Sequence, residues 1–480
     1  MEKVSPLLLN GAADLQPYFA RLVTPGSEQF VVAQTIVDFY KSNRHDILVI
    51  DGYAGTGKTT LISAFVKFLV AANKSVVLLA STGRAGKILS DKASFPVETI
   101  HKHIYVLKVQ EVDKIRKTKK LTFLLRSCAL PKDALIIVDE SSMIADHAPK
   151  GVFLNYGTGR LLSDLVAYAG ERKMIFVGDS CQLPPVNVAF PPVFQSGYIE
   201  HNLKKSVLRV KLTQQKRFPP ESVIFRITDA WRRAIESNIS MPIHITASGE
   251  TDIKVIGSQP MFGAMLANQI RRTGIENCIG VCFSNKAAFS HNQEVRKILF
   301  PNNSLIQKGE ILIVIQNNYL HDITNGEHLI VDSIGSLVSR AGMGFRDFEG
   351  RVRDYAGYRT IRGKLIEEII YQPEPSLSNE NETELFIDFT IRMKAKGIKE
   401  DTEAFFIQQM TDPWLNAVRA KFGYVITCHR AQGGEWDDVF IDIENILPSF
   451  KPEFYLRWAY TAVSRSAKRL HFLKKSFVKD

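Results

Sequence analysis

The chain has 480 residues, 45% hydrophobic and 23% charged, with 61 Lys+Arg against 50 Asp+Glu and a formal net charge of +11. This composition excludes a disordered or low-complexity chain, the length accommodates roughly three or four domains, and the positive balance favours a polyanionic partner. Five scattered cysteines (Cys128, Cys181, Cys278, Cys282, Cys428) argue against a disulfide framework, and without a membrane-length apolar run or a signal-peptide pattern the expected location is the reducing cytoplasm.

Residues 1–23 read as lead-in structure. A helix follows, with Phe30, Ala33, Ile36, Val37 and Tyr40 at helical spacing and Ser27 or Thr24 as cap. Ile47-Leu48-Val49-Ile50 is a short buried strand, and 60–70 reads as a helix. Between them stands Gly52-Tyr53-Ala54-Gly55-Thr56-Gly57-Lys58-Thr59, a G-x-x-x-x-G-K-[ST] pattern. Strand, glycine-rich turn and helix N-terminus converge backbone N–H groups on an anion, which predicts a nucleotide phosphate there. Gly52, Gly55 and Gly57 admit close approach. Lys58 reaches the β- and γ-phosphates and the Thr59 hydroxyl suits Mg²⁺; Thr56 and Thr60 complete the expected cofactor contacts.

A second buried strand is expected at 75–80, with Ser81-Thr82-Gly83-Arg84-Ala85-Gly86-Lys87 after it, and a helical segment begins at Thr99-Ile100-His101. Residues 104–133 are charge-rich and read either as a small hairpin-like insertion or as a solvated loop. Leu135-Ile136-Ile137-Val138 is a third strand, ending in Asp139-Glu140. Asp139 is placed to hold Mg²⁺ opposite Thr59, and Glu140 to polarise the attacking water. A fourth strand over 173–178 leads into Asp179-Ser180-Cys181-Gln182-Leu183-Pro184-Pro185-Val186, where Gln182 is a candidate γ-phosphate sensor. The strand at 207–212 closes a doubly wound parallel sheet.

From Cys278 a second α/β pattern begins, without a phosphate loop. Cys278 and Cys282 bracket an apolar stretch and read as strand residues rather than zinc ligands. Strands around an Asn325-Gly326 turn are expected over 309–333, and a β-rich module over 334–410 with a mobile loop at 374–384. The sheet resumes at 424–427 and 438–442, followed by a helix over 454–464 and a strand over 469–472.

Taken in order, these stretches resemble the motifs of superfamily 1 helicases, specifically the RecD-like branch that includes the phage Dda type. The phosphate loop looks like motif I, 82–87 like motif Ia, Asp139-Glu140-Ser141-Ser142-Met143 like motif II and 178–186 like motif III. Lys211-Leu212-Thr213-Gln214-Gln215-Lys216-Arg217-Phe218 looks like motif IV, 424–435 like motif V and Tyr460-Thr461-Ala462-Val463-Ser464-Arg465 like motif VI. The resemblance implies two RecA-like P-loop NTPase domains: 1A over 1–103 and 134–210, and 2A over 211–333 and 411–480. It also implies a pin insertion 1B over 104–133 and a small-barrel insertion 2B over 334–410.

By the same resemblance Gln29 reads adenine and favours ATP, and Arg217 and Arg465 reach the γ-phosphate. Gln432 and Gly433 bring the second domain to a nucleotide bound between the domains. Thr82, Arg84, Lys87, His101, Asn285, Thr427 and His429 contact the strand, and Phe123 is the candidate wedge tip. Ser81 replaces a common proline before Thr82, and Arg430-Ala431 stands where relatives often carry lysine or serine. The implied activity is an ATP- and Mg²⁺-dependent helicase that moves 5′ to 3′ on single-stranded DNA and opens forked duplex. It would act as a monomer, without a membrane, in replication, repair or recombination and with proteins of those processes. An RNA helicase of the same superfamily and a strand-stimulated ATPase switch without unwinding are the alternatives.

Overall fold

The computed structural model describes residues 9–19, 23–113, 118–148, 154–247, 252–354, 357–400, 402–444 and 452–479. The chain divides into two compact units: Met1–Lys108, Thr122–Ile243 and Leu447–Ser464 form the first, and Val109–Leu121, His244–Ile446 and Arg465–Asp480 the second.

The first unit is built on six strands in the spatial order Val97–Thr99, Val76–Ala80, Leu135–Asp139, Met174–Gly178, Ile47–Gly52, Val207–Leu212. Every neighbouring pair is parallel. Leu135–Asp139 and Met174–Gly178 are buried along their whole length, as near-continuous apolar runs require when helices cover both faces. The helices Glu28–Lys41 and Lys58–Ala71 bury Ile36, Val37, Phe65 and Phe68 in one core with Leu48 and Ile50. Ser27 caps the first of them by accepting from the Phe30 N–H at 3.2 Å. Within the 104–133 insertion, Tyr105–Asp113 and Thr118–Leu125 are adjacent strands, and the second also neighbours Leu154–Tyr156.

The second unit carries another parallel sheet, ordered Ile253–Ile256, Ser466–Leu473, Trp436–Asp442, Cys278–Cys282, Val425–Thr427. Cys278 and Cys282 are buried strand residues. A five-stranded antiparallel sheet follows, in the order Gly357–Ile366, Met343–Asp354, His328–Arg340, Ile311–Val314, Ala420–Phe422. Its two edges approach each other: Val418 donates to the Lys364 carbonyl at 2.7 Å and Ile366 to the Val418 carbonyl at 3.1 Å, which curls the sheet toward a barrel.

Three readings of the sequence change. The segment 211–243 belongs to the first unit, because Val207–Leu212 pairs with Ile47–Gly52 and the chain after it stays against the phosphate loop. Residues 447–464 also belong to the first unit rather than to the end of a second domain. The expected mobile loop at 374–384 runs into the helix Asn379–Ala395, capped by Ser378 with Glu380 and Glu382 in its first turn. Those are helix-start signals that the local polarity obscured.

Candidate functional site

The phosphate loop keeps its shape through contacts that only glycine permits. A Cβ on Gly52 would stand 2.9 Å from the Lys58 side chain, so this glycine makes room for the lysine rather than for an unusual torsion. Gly55 has φ +80°, and a Cβ there would sit 2.8 Å from the Cβ of Arg217. Gly57 opens the helix Lys58–Ala71 with φ 86° and no side-chain cap, leaving its first N–H groups to an incoming anion. Lys58 Nζ donates to the Gly52 and Tyr53 carbonyls at 2.5 and 2.9 Å, the buried Thr56 hydroxyl donates to Tyr53 at 2.8 Å, and Thr60 is exposed.

Thr59 Oγ1 lies 3.4 Å from Asp139 Oδ2. Burial, and next the Glu140 carboxylate, push Asp139 up to about 6, with Lys58 and Thr59 opposing. A divalent cation relieves this crowding of acids, so the pair fits Mg²⁺. Glu140 is held at φ 52°, a left-handed strain tolerated at sites that over-determine it.

Three expected nucleotide residues of this unit share one property. Gln29 Oε1, Glu140 Oε2 and Gln182 Oε1 are buried and have no hydrogen-bond partner among the described residues. Such atoms are rare in a folded interior. Their opposite ends are fixed: Gln29 Nε2 donates to the Thr56 carbonyl and Gln182 Nε2 to Asp179 Oδ2, each at 3.3 Å. The orphaned acceptors are what an exocyclic amine and ordered waters would satisfy.

Arg217 is brought to the loop within the first unit. The Lys216 N–H donates to the Gly55 carbonyl at 2.8 Å, and Arg217 Nη1 donates to the Ser464 carbonyl at 2.7 Å. Arg465, Gln432 and Gly433 lie in the second unit, where the buried Arg465 donates to the Gly434 carbonyl at 3.3 Å.

Sequence reasoning missed the framework beneath the loop. The Tyr460 hydroxyl donates to Asp179 Oδ2 at 2.9 Å and accepts the Ala54 N–H at 3.2 Å. From the same helix, Pro452–Val463, Thr461 Oγ1 accepts the Leu183 N–H at 2.8 Å and Arg457 donates to the Ser180 carbonyl. Tyr53, buried in the loop, donates its hydroxyl to Glu236 and lies 4.0 Å beneath the Arg232 guanidinium. The only hint in the sequence is that both tyrosines fall inside motif stretches.

The expected strand contacts are distributed over both units. Thr82 caps the helix Gly83–Ala93, its hydroxyl accepting from Ala85 at 3.2 Å, and Arg84 and Lys87 lie half-buried in that helix. His101 stands edge-on to Tyr156 at 4.9 Å, and burial brings it down to about 4, so it is a neutral ring near pH 7. Phe123 is 7% exposed and stacked on Tyr156 at 4.5 Å. It is a packed core ring, and the wedge-tip assignment is withdrawn. In the second unit Asn285 begins the helix Asn285–Leu299, and Thr427 precedes the turn Cys428–Ala431 that contains His429. Among the described residues no cluster of His, Cys, Asp or Glu suits a further metal, and no helix is long and apolar enough to cross a membrane.

Comparison with known proteins agrees with this arrangement. A family model described as an AAA domain matches residues 28–222, and one described as a UvrD-like helicase C-terminal domain matches 422–473. The uncharacterized protein R530 of Acanthamoeba polyphaga mimivirus is 21% identical, over 93% of this chain and 99% of that protein. The ATP-dependent RecD2 DNA helicase of Deinococcus radiodurans is 22% identical over 88% of this chain, which spans only 46% of its length. A solved structure of two coordinating Pif1 helicases, described as a basis for DNA unwinding at forked double-stranded DNA, matches 95% of this chain and 94% of its own with a TM-score of 0.50 at 17% identity. These matches, on a chain with two parallel-sheet units, agree with its resemblance to the RecD-like branch of the superfamily 1 helicases.

Proposed function

We propose that this chain is an ATP-dependent DNA helicase that translocates on single-stranded DNA and unwinds duplex. The observation that carries the reading is the open phosphate loop, where Gly57 starts the helix Lys58–Ala71 with no side-chain cap and Thr59 Oγ1 stands 3.4 Å from Asp139 Oδ2. The loop N–H groups and Lys58 bind the phosphates, Arg217 supplies charge where it accumulates in phosphoryl transfer, and Glu140 takes a proton from the attacking water. Thr59 and Asp139 would hold Mg²⁺, which would supply positive charge to neutralise the phosphates. Gln29 Oε1 accepts from the adenine amine, which selects ATP.

Arg465, Gln432 and Gly433 are assigned to the nucleotide, and 5′-to-3′ movement to the motor, on family resemblance alone. The same holds for strand contact by Thr82, Arg84, Lys87, His101, Asn285, Thr427 and His429; short polar groups of this kind bind backbone without reading sequence.

The test is ATP hydrolysis with and without single-stranded DNA or RNA, with Lys58→Ala as blank. Stimulation by DNA in the wild type alone is expected, followed by unwinding of tailed duplexes. Absence of stimulation by either strand overturns the motor, and unwinding confined to 3′-tailed duplexes reverses the polarity.

A further inference from the structure

The stretch that carries Arg217 has no regular secondary structure. The strand Val207–Leu212 ends just before it, so the N–H groups from Thr213 onward lie outside the sheet. One side chain takes the first two of them. Glu28 Oε2 accepts the Thr213 N–H at 2.8 Å and the Gln214 N–H at 2.6 Å, and Glu28 Oε1 accepts the Thr213 hydroxyl at 2.8 Å. The next two residues turn to the phosphate loop: the Gln215 amide donates to the Ala54 carbonyl at 3.3 Å and the Lys216 N–H to the Gly55 carbonyl at 2.8 Å.

Glu28 stands in the first turn of the helix Glu28–Lys41, where an acid also favours the helix dipole. That role needs only charge near the helix start. Hydrogen bonds to residues 185 and 186 positions away are a different use of the carboxylate. An anion that spans two successive N–H groups fills the nest they form and fixes the backbone that makes it. Gln29, next in the helix, holds the Thr56 carbonyl of the phosphate loop through Nε2 at 3.3 Å. Adjacent residues of one helix thus hold the loop and the stretch that bears Arg217. The fit at the arginine is close, since a Cβ on Gly55 would come within 2.8 Å of the Arg217 Cβ. Misplacing a group at a reacting centre by about 1 Å can cost on the order of 10²-fold in rate.

We propose that Glu28 is a positioning residue for Arg217. It acts not on the nucleotide but by fixing Thr213 and Gln214, and through them the guanidinium that meets the developing charge of phosphoryl transfer. The inference rests on the reading of the chain as an ATP hydrolase with Arg217 at the phosphates. It gives the helix start two separate tasks: Gln29 faces the loop and the base, and Glu28 sets the arginine.

The test is a double-mutant cycle on DNA-stimulated ATP hydrolysis, with wild type, Glu28→Ala, Arg217→Ala and the double variant. Arg217→Ala is expected to lower kcat by on the order of 10³-fold. Glu28→Ala is expected to lower it by roughly ten- to a hundredfold, with KM for ATP nearly unchanged. In the Arg217→Ala background the loss of Glu28 should cost nothing further, because an absent guanidinium cannot be misplaced. Glu28→Gln, which keeps an acceptor without the charge, should fall between wild type and Glu28→Ala. Thermal unfolding verifies each fold, and should Glu28→Ala fail to fold, Glu28→Gln carries the cycle. Equal losses in both backgrounds, or a wild-type kcat in folded Glu28→Ala, overturn the positioning role and leave the hydrolase standing. A collapse of the preference for ATP over GTP in Glu28→Ala also overturns it, by moving the effect to Gln29. An Arg217→Ala variant with wild-type kcat overturns the reading on which the inference rests.

Discussion

Two helices in this chain leave parallel sheets in the same way, and their N-termini are finished differently. Ile47–Gly52 and Cys278–Cys282 each lie between two parallel neighbours and each feed a helix, Lys58–Ala71 or Asn285–Leu299. After the first strand, the glycine-rich turn ends at Gly57 with no side-chain cap. After the second, Ser284 caps the Ala287 N–H at 3.1 Å, and Glu444 accepts from the Ser284 N–H at 2.8 Å and its hydroxyl at 3.0 Å. A helix N-terminus attracts an anion in either unit. In the second the protein supplies its own carboxylate, and in the first the place is kept for a phosphate. Topology is therefore shared, and capacity for nucleotide is decided by a few residues at the turn.

The largest test of that contrast is Lys58→Ala. Removing the ammonium from the open turn is expected to lower strand-stimulated turnover by on the order of 10³-fold, measured as steady-state phosphate release. A variant that still hydrolyses at near wild-type rate would mean that the turn is not where the chemistry happens.

Next is Tyr460→Phe, which deletes the hydroxyl between Ala54 and Asp179 and leaves a buried N–H without its acceptor. Such an orphan costs about 1–3 kcal/mol, enough to reduce kcat/KM for ATP by roughly tenfold. Because the loop's shape is at stake, KM should rise more than kcat falls. Equal loss in both would place Tyr460 in the chemical step instead.

How much of this was legible in the sequence follows from the range of the interactions. Apolar runs such as Leu135–Asp139 announce buried strands, and a phosphate loop is local, so five strands of the first sheet and the turn after Ile47–Gly52 were readable, whereas the three-residue edge strand Val97–Thr99 was not. The strand Ile253–Ile256 was not, because Lys254 interrupts a run of only four residues. Tyr460 and Asp179 are 281 positions apart, and no local pattern pairs them. Phe123 differs in another way: resemblance rather than a local pattern offered it as a wedge tip, whereas Tyr156, brought alongside by strand pairing, buries the ring. The unit boundary moved because motif order is silent about which sheet a strand joins.

Glu444→Gln tests the filled helix start. The variant keeps the shape but weakens charge-assisted hydrogen bonds and the interaction with the helix dipole, a loss of about 1–2 kcal/mol expected in denaturant unfolding of the second unit. Affinity for ATP should not change. If the neutral variant instead acquired a second nucleotide site, turn geometry would matter less than the carboxylate that fills it.

The smallest effect is expected in the sheet whose cations are already paired. Arg353 and Glu276 meet at 3.1 Å with side chains 47% and 30% exposed. Water screens such a pair, and ordering two long side chains offsets most of its Coulomb energy, so Arg353→Ala should change stability by less than about 0.5 kcal/mol. The same substitution should leave the salt dependence of oligonucleotide binding unaltered, because a guanidinium engaged by its own carboxylate has no net charge to offer a phosphate. Should Arg353→Ala lower that dependence measurably, pairing with Glu276 would not be what withholds this cation from a strand.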